Sequence, residues 1–167
     1  MTTLRVSATR RIAAPADVAY DIIADYRDGH PRIIPPRWFR NLRVESGGVG
    51  QGTVIRFEMH AFGSIQQARG QVTEPVPGRV LVETYDDGAK TSFTVVPAED
   101  GRAADVTILT EMASKKNGFL GVVERAVIRS FLGKAFKEEL QLLDTVARGR
   151  TREPSREPPM QSAKNRA

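Results

Sequence analysis

Glu45-Ser-Gly-Gly-Val-Gly-Gln-Gly-Thr53 places four glycines within residues 47–52 and runs straight into Val-Ile-Arg-Phe-Glu-Met-His-Ala, residues 54–61. Glycine at that density suggests a phosphate cradle, and the downstream residues decide the matter. A P-loop needs Lys-Ser/Thr at the start of a helix, and a dinucleotide fingerprint lies between a strand and a helix. Here the next residues alternate. Ile55, Phe57, Met59 and Ala61 fall on one face, and Val54, Arg56, Glu58 and His60 on the other, the period of a half-buried strand. The glycines therefore form a turn-rich connection from a strand at Asn41–Ser46 into a second strand.

Downstream, the same reading gives strands at Ile65–Thr73, Arg79–Tyr85, Lys90–Val96 and Ala104–Ala113. Between them stand the turn signals Glu74-Pro-Val-Pro-Gly78, Asp86-Asp-Gly88 and Ala98-Glu-Asp-Gly101, and such short links favour antiparallel neighbours. Upstream, Leu4, Val6 and Ala8 alternate with Arg5, Ser7 and Thr9, an opening strand. At Ala14-Pro15-Ala16-Asp17 the period changes, with proline and an acid where a helix starts. Val18, Ile22 and Tyr26 come next at steps of four until Gly29 and Pro31 break the helix. A second short helical turn is expected before the next strand.

Residues 118–147 predict a long final helix without proline. Its first half carries Phe119, Leu120, Val123, Val127 and Phe131, and its second Leu132, Phe136, Leu140 and Leu143, with Gly133 at the changeover. That shift predicts a bend, or two differently covered surfaces, near residues 130–134. The fold class is α+β: a curved antiparallel sheet with its helices collected on one face, an arrangement that tends to leave a cavity where helix and sheet part.

The chain of 167 residues has a net charge of +5, most of it local. Residues 148–167 hold six Lys/Arg and two Glu, which leaves 19 basic and 18 acidic groups in residues 1–147. We expect a domain over 1–147 and a disordered basic tail over 148–167, whose Pro, Arg and Ser cannot offset their ordering entropy. Weak contact of the tail with nucleic acid or an anionic membrane is a minor reading beside a solvated tail. There is no cysteine, which agrees with a reducing compartment. Residues 1–11 contain no apolar signal core and no apolar run reaches spanning length, so a soluble, cytoplasmic protein is expected.

Ile12-Ala-Ala-Pro15 with Val18-Ala-Tyr20 opening the first helix, and Glu45–Thr53 leading into an alternating strand, resemble the START-like (SRPBCC) superfamily in its polyketide cyclase/dehydrase-like branch. The resemblance extends over about residues 4–147. It implies a helix-grip fold, in which a seven-stranded antiparallel sheet grips the long C-terminal helix. Two short helices after the first strand and the loop behind them would roof an apolar cavity. It further implies binding of lipids, sterols, quinones or aromatic polyketides, with catalysis in a minority of members.

The candidate chemistry is sparse. Two histidines, no cysteine and no His-Glu-x-x-His pattern give no expected metal, no cofactor is expected, and the Gly-x-Ser-x-Gly elbow of a hydrolase is missing. His30, near Asp25, Asp28 and Arg32 in the stretch Asp25–Phe39, titrates near neutrality and is the first catalytic candidate. Tyr85 is the second, and shares a strand face with Glu83. Arg56, Glu58 and His60 read as a solvated outer face. Tyr26, Ile34, Trp38, Ile55, Phe57, Met59, Tyr85, Phe93, Val123, Val127 and Phe131 are the candidate ligand-binding set, the make-up of a small-molecule site; Ile33 and Phe39 join the expected roof. The partner expected is a hydrophobic small molecule such as a lipid, quinone or polyketide. The alternatives are a cyclase or dehydratase with His30 moving the proton and Tyr85 or an arginine polarising a carbonyl, and a partner-binding module.

Overall fold

The computed structural model describes residues 2–114 and 118–152. Seven strands form one antiparallel sheet: β1 (Thr2–Ile12), β2 (Phe39–Ser46), β3 (Val54–Ala61), β4 (Ser64–Val76), β5 (Val80–Tyr85), β6 (Lys90–Ala98) and β7 (Ala103–Ser114). Their order across the sheet is β1-β7-β6-β5-β4-β3-β2. From β2 onward each strand pairs with the next, and β1 closes on β7 from Thr2 opposite Ser114 to Ile12 opposite Ala104. Helix α1 (Ala16–Ala24) and a 3-10 turn, His30–Arg32, lie between β1 and β2, and helix α2 (Gly118–Arg152) comes after β7. This is the helix-grip arrangement, with the second short helix reduced to one turn between Gly29 and Ile33.

Helix α1 starts on Pro15, whose carbonyl accepts from the Ala19 N–H at 3.1 Å. It buries Ala16, Ala19, Tyr20, Ile22 and Ile23. The helix ends at Ala24 with Asp25 as its cap, just short of Tyr26. The Asp25 carboxylate accepts from the N–H groups of Arg27 and Asp28 at 3.1 and 3.2 Å, an Asx turn that competes with the helix. Strand β4 runs on through Pro75 to Val76, past the expected end at Thr73, because a register slip between Thr73 and Val76 absorbs the residue that cannot donate.

Helix α2 is unbroken but its two halves are covered differently, the second of the two expectations. Leu132, Ala135, Phe136, Leu140, Leu143 and Ala147 are buried, whereas Leu120 is 70% and Val123 44% exposed. The helix runs past residue 147 to Arg152. There Arg148 pairs with Asp144 at 2.8 Å, and Asp144 accepts from the Ala13 N–H at 2.9 Å, tying the helix to the end of β1. Residues 153–167 of the expected tail, and the side chain of Phe119, lie outside the described residues. No helix among those described is long and apolar enough to cross a membrane.

Candidate functional site

The glycine stretch sets the back of the site. Gly47, Gly48, Gly50 and Gly52 all have positive φ, so the loop folds tightly against the end of α1. The carbonyl of Gly48 accepts from the Tyr26 N–H, and the Gly50 N–H donates to the carbonyl of Ala24, each at 2.9 Å. Glu74 holds the loop from outside, accepting from the Tyr20 hydroxyl at 2.6 Å and the Gln51 N–H at 2.8 Å. The first of these bonds fixes Tyr26 behind the sheet's concave face, and the His30 N–H donates to the Asp25 carbonyl at 2.6 Å.

Between that face and α2 lies a cavity of about 490 Å³. Ile55, Phe57 and Met59 of β3, Phe93 of β6 and Met112 of β7 form apolar wall, Leu132 and Phe136 come from α2, and Ile34 and Phe39 close the roof. The exposed side chains of Arg56, Gln66, Gln67, Asp86 and Asp87 form the rim.

Inside, polar groups collect at one place. The Glu83 carboxyl is buried and accepts from the Tyr26 hydroxyl at 2.6 Å through one oxygen and from the Tyr85 hydroxyl through the other. Room for the Tyr85 ring comes from Gly70 across the β4–β5 pair, where a Cβ would stand 2.8 Å from the ring. His30 stacks on Tyr26 with ring centroids 4.4 Å apart and meets the edge of Phe93 at 5.6 Å. Its Nδ1 lies 2.7 Å from the carbonyl of Ile23. A carbonyl only accepts, so Nδ1 carries the proton and the other ring nitrogen, Nε2, keeps its lone pair when the ring is neutral. Nε2 is 3.9 Å from Glu83. Burial lowers the His30 pKa, against the charge of Glu83 and the Ile23 bond, which raise it. Burial, reinforced by Glu83, pushes the hydroxyls of Tyr26 and Tyr85 well above their usual range, so both remain donors. Glu139 of α2 also lines the cavity and is 5% exposed, and its Oε1 has no hydrogen-bond partner. Burial first, then the charge of Glu83, raises its pKa well above the usual carboxyl range. Thr91 and Thr110 complete the polar wall, their hydroxyls 2.7 Å apart.

Of the candidate ligand-binding set, Ile34, Ile55, Phe57, Met59, Tyr85 and Phe93 meet in the cavity wall with His30. Tyr26 stands behind it, 1% exposed, reaching the site through Glu83. Trp38 and Phe131 pack edge to face at 5.1 Å outside the lining, with Arg37 over the indole at 4.5 Å. Val123 and Val127 are 44% and 40% exposed and take no part. The reason is rotation: at ~100° per residue Val127 points about 180° away from Phe136, so the face that meets the cavity is that of Leu132, Phe136 and Glu139. Asp25 is used by its turn, and Asp28 and Arg32 are exposed. Glu58 pairs with His60 at 3.1 Å and Arg56 with Glu45 at 2.8 Å, away from the inner polar cluster. Glu139 escapes the sequence reading, although Phe136, Glu139, Leu140 and Leu143 share one buried helical spacing. Among the described residues no group of three or more His, Asp or Glu could hold a metal ion.

Comparison with known proteins agrees with this geometry. The family model described as polyketide cyclase / dehydrase and lipid transport matches residues 3–148. Among solved structures, the KanY protein superposes with a TM-score of 0.77 at 24% identity, covering 89% of this chain and 100% of that one. The Zhui aromatase/cyclase from Streptomyces sp. R1128 gives 0.71 at 19% identity, over 90% of this chain and 97% of its own. Norcoclaurine synthase from Thalictrum flavum, in complex with dopamine and hydroxybenzaldehyde, gives 0.66 at 16% identity, over 89% and 88%. At such identities the likeness establishes the fold. No curated protein matches the chain.

Proposed function

Because the chain belongs to the polyketide cyclase / dehydrase and lipid transport family, we propose that it binds a hydrophobic small molecule, lipid, quinone or polyketide-like, in the cavity under α2. The observation that carries this reading is the cavity itself, about 490 Å³ with aromatic and aliphatic walls and its buried polar groups gathered around Glu83. A site of that size encloses a two- or three-ring ligand. Burial of apolar ligand surface supplies the affinity, at ~25 cal/mol per Å² before the cost of immobilising the ligand. Met59 and Met112, unbranched and adaptable, let the wall follow more than one ligand shape.

A second reading, cyclase- or dehydratase-type acid–base chemistry in the same cavity, is favoured by a specific observation. His30 offers a lone pair at Nε2 beside Glu83, and Glu139 holds its proton tightly. Environments that separate an acceptor from a donor in this way are what proton transfer to and from a carbonyl compound uses. In that reading Glu139, whose Oε1 has no partner, polarises the carbonyl in place of Tyr85 or an arginine, since the one proton of the Tyr85 hydroxyl is already donated to Glu83 and Arg56 and Arg69 stand at the rim on Glu45.

Native mass spectrometry of the purified full chain tests the binding reading. We expect a retained hydrophobic ligand, or uptake of an added two-ring aromatic at one equivalent, abolished when Phe93→Trp fills the cavity. Uptake that is absent, or that survives the filling substitution unchanged, would count against it. The enzymatic reading needs turnover of a poly-ketone that is lost in His30→Gln while binding persists.

A further inference from the structure

The charge of the cavity wall is one-sided. Among the described residues its arginines and lysines are Arg56 and Arg69, which stand at the rim, each with its Nε on an oxygen of Glu45. Deeper in are two acids, Glu83 at 4% exposure and Glu139 at 5%. The oxygens of Glu83 are taken by the hydroxyls of Tyr26 and Tyr85. Oε1 of Glu139 is buried without a partner. A buried polar group left unpaired costs free energy comparable to a lost hydrogen bond, and one in a cavity wall is completed by ordered water or by a ligand that brings a partner.

This arrangement constrains the occupant in two ways. An anionic head group would stand beside Glu83 with no buried arginine or lysine in the described wall to compensate it, and desolvating such a charge is expensive. A neutral oxygen acceptor would complete Glu139, whose buried Oε1 has no partner and whose pKa burial, then the charge of Glu83, raises well above the usual carboxyl range, favouring the protonated, donating form.

We propose that the cavity discriminates by charge, taking neutral hydrophobic ligands with a ketone or quinone oxygen that accepts a hydrogen bond from Glu139, and rejecting carboxylate-headed ligands of the same size. This rests on the ligand-binding reading above and adds the ligand's head-group chemistry and the residue that recognises it. The acids form no site by their number alone. What singles this place out is a side chain nine-tenths buried, unpartnered, in the wall of a cavity large enough for a ligand.

Three probes of nearly equal shape test it at pH 7: 2-acetylnaphthalene, 2-isopropenylnaphthalene and 2-naphthoate, titrated calorimetrically into the full chain. The ketone should bind about five- to tenfold tighter than the alkene, the worth of one hydrogen bond in a dry site, and naphthoate should bind weakest. In Glu139→Leu the ketone's advantage should vanish while the alkene still binds, and in Glu139→Gln, whose amide also donates, it should return. Naphthoate binding as tightly as the ketone would overturn the proposal, as would a ketone preference that survives Glu139→Leu. The wild-type ranking decides the matter even if a variant fails to fold. If all three probes bind alike, charge selectivity falls and ligand binding stands. If none binds to the folded chain, both fall.

Discussion

Glu83 accepts from two phenolic hydroxyls while Oε1 of Glu139 meets no donor, so two identical side chains in one cavity have different work. The contrast makes a pH prediction at the level of one residue. The Glu139 pKa is raised well above its ordinary 4.5 in the folded chain. Well below pH 4.5 both folded and unfolded states hold the proton, and the titration of the group leaves stability unchanged. Above it the unfolded state releases its proton first, so folding loses up to about 1.4 kcal/mol per pH unit until the folded pKa is reached. Urea denaturation at pH 4.5 and pH 7 should therefore show Glu139→Gln gaining on the wild-type chain as pH rises. A gap that does not change with pH would mean that Glu139 is not held neutral. Residue period alone places Glu83 and Tyr85 on one strand face, but not which way the face looks, since a two-residue period is blind to inside and outside. Glu139 is less legible because an acid on a helix normally faces water, and only tertiary packing turns it inward.

Among the elements, the glycine connection between β2 and β3 has the most direct effect on the site, because it carries the hydrogen bond that fixes Tyr26. Its glycines are unequal. A Cβ at Gly47 would stand 2.8 Å from the Thr53 Cα, and φ there is +71°, while at Gly52 φ is +86° and nothing lies within 4 Å. Gly52→Ala should cost about 1 kcal/mol from the left-handed backbone alone. Gly47→Ala should cost about 2–3 kcal/mol, because backbone atoms must also move. Chemical denaturation separates the two, and equal losses would show that the loop yields freely. The element order, the strands and the role of this loop are legible because alternation and turn residues are local signals. The face of α2 is not. Its first-half stripe is as apolar as the second, and nothing local tells which stripe the sheet reaches. Apolar spacing alone therefore turns Val123 and Val127 inward, whereas the concave face covers the helix only from about Phe131 onward.

At the scale of the molecule, the sheet and the second half of α2 form the covered core, with Leu81, Val95, Val106 and Ile108 buried on the strands and Leu140 and Leu143 on the helix. Family membership and seven antiparallel strands fit one curved wall closed by β1 on β7. The cavity interrupts that core between the concave face, from β2 to β7, and the face of α2 that carries Phe136 and Glu139.

The uneven cover of α2 means that one rod carries two stabilities. From Phe131 to Ala147 its amides can open only with the core, whereas between Leu120 and Val127 the large apolar side chains Leu120, Val122, Val123 and Val127 are exposed and bury little against the sheet. Hydrogen–deuterium exchange should therefore be slow over the turns between Phe131 and Ala147 and faster by orders of magnitude over those between Leu120 and Val127. Uniform protection along the helix would contradict this. Under denaturant or load the helix should peel from the Gly118 end and stop at the aromatic contact between Phe131 and Trp38, long before the sheet gives way.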